Sequence, residues 1–189
     1  MAELPAYFCA AANFLAVVAL ATVLAPGTTL ADEPTRAVYV RDHLVLWRVG
    51  WGLWVVAAVS LLVFYRWWQR RIGAGYAALG IAFVALAADL VAESLLIAVV
   101  PERPDLARTS FILTGGVANG GYTLAGVALS LRTPQLRGRL AAWTAVMWSA
   151  GAALSVFALL EQPLGVAVSS GVLFALFLPW LIVIGRRLA

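Results

Sequence analysis

The chain has 189 residues, 63% of them hydrophobic and 12% charged, with a formal net charge of +4. Soluble domains average about half apolar and about a quarter charged, so this composition excludes an ordinary soluble globule and points to an integral membrane protein. All 13 basic residues are arginine, and without lysine the Schiff-base chemistries of retinal and pyridoxal are excluded along with every other lysine-amine mechanism.

Six apolar segments follow one another along the chain, each close to the roughly 20 residues that cross a bilayer as a helix. The first covers 8–26 and holds the single Cys9, so no intrachain disulfide is possible. Only Glu3 is charged ahead of it. Lacking a basic leader region and followed by five further spans, it reads as a retained helix, not a signal peptide. The connection "APGTTLADEPTR" leads towards the second segment, 44–65, which opens beside His43 with "LWRVGWGLW". Trp47, Trp51 and Trp54 fall on one stripe there, with Arg48 a turn from Trp51. Trp51 and Trp54 either fill apolar volume or wall a pocket beside Arg48. One histidine cannot build a bis-histidine haem site, and zinc sites draw on several Cys and His; no metal or cofactor is expected.

The basic turn "RWWQRRIGAG" precedes the third segment, 75–100, where Asp89 and Glu93 interrupt "ALAADLVAESLLIAVV". After "PERPDLAR" comes the fourth, 109–131, with "TGGVANGGYTLAG" inside it. Gly116 and Gly120 form a GxxxG pattern that permits close helix approach or leaves room for a ligand. "RTPQLRGR" leads to the fifth, 140–160, and "EQPLG" separates it from the sixth, 164–185, where Pro179 is placed to kink the inner end. No connection is long enough for a soluble domain. The predicted fold is therefore all-α: a single polytopic transmembrane domain, 1–189, built as a bundle of six transmembrane helices.

Arginine placement predicts the orientation. Arg66, Arg70, Arg71, Arg132, Arg137, Arg139, Arg186 and Arg187 fall on one side of a six-span topology, with Glu3 the only acid there. On the other side Arg36, Arg41, Arg103 and Arg108 are diluted by Asp32, Glu33, Asp42, Glu102, Asp105 and Glu161. The positive-inside rule then puts both termini in the cytoplasm, and Trp67, Trp68 and Trp180 read as interfacial anchors at that end. Charge distributed this way meets lipid headgroups, not nucleic acid.

Depth can be counted from the span ends at about 1.5 Å per residue. Glu93 lies roughly 10 Å below the outer end of the third span, with Asp89 one turn deeper and Arg48 near the level of Glu93. Asn119 and Tyr122 on the fourth span fall near Asp89. Asp89 and Glu93, at i and i+4, share a helix face. Two like charges in an apolar medium do not both ionise, so one acid is expected to keep its proton while Arg48 neutralises the other, Glu93 being the closer in depth. Arg48, Trp51, Asp89, Glu93, Asn119 and Tyr122 are the expected lining of a polar pocket opening from the outer side.

Three functions compete on these residues. A binding or transport site for a small amphipathic or cationic ligand would use the acids for charge pairing and the tryptophans for cation–π contact, with a protonatable acid coupling binding to proton movement. An intramembrane isomerase or cyclase acting on a lipid or terpenoid would use Asp89 or Glu93 as the proton donor. An accessory or scaffold subunit would use the polar cluster only to pack against a membrane-protein partner or a second copy. Ser–His–Asp catalysis does not fit, since His43 lies at the membrane boundary with no nucleophile motif. The span count and the last helix, "LFLPWLIVIG", resemble those of uncharacterised six-helix bacterial membrane proteins grouped as a domain of unknown function. That resemblance implies location in a bacterial membrane and no particular activity.

Overall fold

A computed structural model describes residues 3–28 and 33–189. Among them there are helices and turns and no strand. We number the helices α1 (Leu4–Thr28), α2 (Glu33–Asp42), α3 (Leu44–Ile72), α4 (Ala77–Ala98), α5 (107–130), α6 (Arg139–Leu159) and α7 (Pro163–Leu188). Five of them, α1, α3, α4, α6 and α7, are long and apolar enough to cross a membrane, the hallmark of an integral membrane protein. The fourth apolar segment corresponds to α5, the one interrupted by Gly115, Gly116, Asn119, Gly120 and Gly121.

Local chemistry explains the ends. α3 runs seven residues past position 65 because Arg70 and Arg71 occupy its last turn, where cations complement the exposed carbonyls. It stops at Gly73, whose φ of 64° is the left-handed conformation of a helix C-cap. α7 begins at Pro163, which has no N–H to leave unpaired in a first turn. α1 widens into a π turn over Leu20–Leu24 just before Pro26, whose ring would otherwise press on the carbonyl one α turn back.

One element differs from expectation. The tail of "APGTTLADEPTR" is not open connection, because Glu33–Asp42 forms the polar helix α2. It is tied down by the Tyr39 hydroxyl donating to the Val23 carbonyl at 2.6 Å and by the buried Val40. Its polarity hides it from any search for apolar runs. Asp32 lies outside the described residues.

The long helices form a ring. α1 packs on α3, α3 on α4, α4 on α5, α5 on α6 and α6 on α7, and α7 closes back on α1. Successive members are antiparallel, so one end of the ring gathers the arginines at the ends of α3, α5 and α7 and the start of α6. Arg71 there donates to the main-chain oxygen of Ala189 at 3.2 Å, and Arg186 reaches the Tyr7 hydroxyl at 3.3 Å. At the opposite end Arg108 holds Glu161 through two bonds of 2.6 and 2.5 Å, tying α5 to the α6–α7 turn. That contact holds the Glu161 carboxyl below the usual carboxylate range, as Arg103 does for Asp105.

The ring's centre, towards the arginine-rich end, is filled with aromatic side chains. Trp68, Trp148 and Phe177 all surround Trp180 at centroid distances of 5.3–6.2 Å, each such pair worth about 0.5–1.5 kcal/mol beyond its buried area. The indole N–H groups are satisfied by hydroxyls: Trp68 donates to Thr133 at 2.9 Å, Trp148 to Ser130 at 2.9 Å and Trp180 to Thr144 at 2.8 Å. Each hydroxyl in turn donates to the carbonyl four residues back in its own chain, which aims its free lone pairs at the indole. Trp68 and Trp180 are consequently fully buried core residues, not interfacial anchors. The ring's outer surface carries exposed Val, Leu, Ile and Phe side chains on its long helices, such as Phe83, Val84 and Val156.

Candidate functional site

The two acids of α4 point into the ring, in its half away from the arginines. Asp89 is 6% exposed and Glu93 fully buried. Asp89 is well held: Oδ1 accepts the Thr114 hydroxyl at 2.5 Å and Oδ2 accepts the Tyr122 hydroxyl at 3.2 Å. Tyr122 is anchored from the other side, its main-chain oxygen accepting the Tyr65 hydroxyl of α3 at 2.9 Å. The network thus joins α3, α4 and α5. Glu93, one turn away, has no hydrogen-bond partner on either carboxylate oxygen.

Thr114 was not among the expected residues, and helix geometry explains why. Eight residues of an ideal α-helix turn through about 800°, which leaves Thr114 and Tyr122 about 80° apart. Over Ile112–Ala118, however, α5 is a π turn. The additional residue of a π turn removes about 100° of that offset and brings the two hydroxyls within about 20° of one line. Tyr122 then leans back towards the N-terminal end of its helix, as helical side chains do, and meets the same carboxylate. Thr114→Val leaves one oxygen of Asp89 without its donor. We expect it to cost about 1–3 kcal/mol, the usual loss when a buried acceptor is left unsatisfied, read as a lower unfolding temperature with the same helix content.

Two expected partners lie elsewhere. Arg48 does not neutralise Glu93: it is exposed, and its Nε donates to the Ile97 carbonyl at 3.3 Å. A long side chain starting near a membrane boundary turns outward more cheaply than it enters. Asn119 does not reach Asp89 either. Its side-chain amide donates to the Gly151 carbonyl at 2.8 Å and the Ser155 hydroxyl at 2.7 Å, fastening α5 to α6. Depth along a span is readable from sequence, but direction around the helix is not.

Trp51 lies near Glu93 in height. Trp47 donates its indole N–H to the Leu96 carbonyl at 2.6 Å, and α3 and α4 run antiparallel. One turn down each from that bond come Trp51 and the neighbourhood of Ala92 and Glu93. Trp51 packs edge-on to Trp47 at 5.7 Å and against Phe111 at 6.1 Å. The indole N–H groups of Trp51 and of Trp54, which stands edge-on to Phe174 at 5.7 Å, are buried without acceptors. The arrangement offers buried carboxyl oxygens, two buried indole donors and aromatic faces, with no basic side chain bonded to either acid among the described residues.

The glycines of α5 serve packing. A Cβ on Gly126 would stand 2.3 Å from the Trp148 ring and one on Gly121 would stand 2.7 Å from Ala85. No protein-family model, curated protein or solved structure matches this chain.

Proposed function

We propose that this chain is a six-span membrane protein, with α5 as its fourth span and both termini in the cytoplasm, that binds and carries a small cationic or amphipathic ligand at Asp89 and Glu93. The observation that carries this reading is Glu93: a fully buried carboxyl with neither oxygen partnered, one turn from a second acid. Burying an unsatisfied polar group costs roughly 1–3 kcal/mol, and intramembrane ionisable residues are by default functional. A cation entering between the acids would recover that cost. The faces of Trp51 and Trp54 suit an organic cation, whose attraction to an indole grows when both are desolvated. Asp89, held by Thr114 and Tyr122, would be the fixed member of the pair and Glu93 the responsive one.

The test is the initial rate of uptake of radiolabelled tetraethylammonium, an organic cation that crosses bare bilayers poorly, into proteoliposomes. Wild-type protein should accumulate the probe above protein-free vesicles, and Asp89→Asn and Glu93→Gln should each lower the rate at least tenfold. Uptake no faster than in protein-free vesicles, or unchanged in both variants, overturns the reading.

A further inference from the structure

The outside of the ring carries a groove unrelated to the acids. It has a volume of about 460 Å³ and runs along the α4–α5 seam from Ala77, between Gly80, Ile81 and Val84 on one side and Val117 and Gly121 on the other. The close approach of Gly121 to Ala85 forms its floor, while nothing stands within 4 Å of where a side chain on Gly80 would begin. The lining is hydrocarbon throughout. From Ala77 to Ala85 the groove rises about 12 Å at 1.5 Å per residue, close to the half-thickness of about 15 Å that one leaflet of a bilayer core provides.

A cation stands near its lower end. Ala77 directly follows Tyr76, and the Arg66 guanidinium lies 5.3 Å from the centre of the Tyr76 ring. Arg66 also donates to the Gln69 side chain at 3.3 Å, and no acid pairs with it among the described residues. Glu3, the one acid of this end, accepts from the Tyr7 hydroxyl. An apolar slot close to one leaflet in height, with an unpaired guanidinium beside Tyr76 near its headgroup end, suits an anionic lipid. We infer that the groove binds one acyl chain of an anionic phospholipid whose phosphate is met by Arg66. Guanidinium and phosphate are geometrically matched through paired N–H donors, and basic groups at a membrane surface favour anionic lipid. A helix of a second copy would need a furrow running the full height of the membrane, whereas above Ala85 the exposed Val91 stands out from α4.

Native mass spectrometry on protein equilibrated with vesicles of equal parts phosphatidylglycerol and phosphatidylcholine tests the inference. Wild-type protein should retain one phosphatidylglycerol in preference to phosphatidylcholine. Gly80→Leu directs a side chain into the slot and should cut retention of either lipid at least tenfold. Arg66→Gln leaves the slot open and should retain both lipids equally. Equal retention of the two lipids by wild type, or wild-type behaviour in both variants, overturns the proposal. So does a monomer–dimer change on Gly80→Leu, which would assign the groove to a second copy. If Gly80→Leu does not fold, Arg66→Gln decides: loss of the preference upholds the site and its persistence overturns it.

Discussion

Glu93→Leu should yield a protein more stable than the wild type and unable to carry a cation. Leucine is close in size to glutamate without its carboxyl, and the site it enters is fully buried among packed helices. No donor is lost, because neither Glu93 oxygen has one. What disappears is the desolvation of an unsatisfied polar group, about 1–3 kcal/mol, so the unfolding temperature should rise. Asp89→Leu makes the counter-case. It leaves the Thr114 and Tyr122 hydroxyls without their shared acceptor, and its unfolding temperature should fall. Thermal unfolding in one detergent, followed by circular dichroism, measures both. A fall in stability for Glu93→Leu would mean that the carboxyl holds the bundle together, and the proposed binding role would go with it.

The second large effect is expected far from the acids. In Gly126→Val the new Cβ would lie 2.3 and 2.4 Å from two atoms of the Trp148 ring. That ring cannot move aside, because its N–H is bonded to Ser130 and its faces meet Phe177 and Trp180. Overpacking a filled core costs about 1–3 kcal/mol and occasionally more; we expect about 3 kcal/mol here, with loss of the near-ultraviolet tryptophan signal before loss of helix. Gly52, inside α3 with nothing within 4 Å, is the control, and Gly52→Ala should be at least as stable as the wild type. Equal stability of Gly126→Val and wild type would contradict the packing described for the ring's centre.

These residues also show how far sequence carries. The long helices are legible because an apolar run of about 20 residues has few other uses. Asp89 and Glu93 are legible for the complementary reason, as charges where charge is expensive. The misassignments share one cause, which is that azimuth depends on packing. Arg48 bonds the Ile97 carbonyl, one turn outward of Glu93, and turns away from the acids, and Asn119 faces α6 although Tyr122, three residues on, reaches α4. Trp68 and Trp180 sit where interfacial tryptophans sit, but hydroxyls on neighbouring segments draw their indoles into the core. Thr114 required knowing that α5 departs from α geometry, and the glycine pair at 115 and 116, a place where helices commonly deform, is the only sequence sign of it. α2 escaped because polar helices leave no hydropathic trace.

The composition of α5 bears on how such a chain enters a membrane. On the six-span reading, five helices can partition into lipid on their own hydropathy, and α5 is the one left to its neighbours. Its hydroxyl at Thr114 is satisfied by α4, its amide at Asn119 by α6, and its bare backbone at Gly126 is covered by a tryptophan of α6. The dependence runs both ways, since Asp89 of α4 receives its two hydroxyl donors from α5. During biogenesis α4, α5 and α6 would then leave the insertion machinery as a unit, with α5 waiting for the helix that follows it.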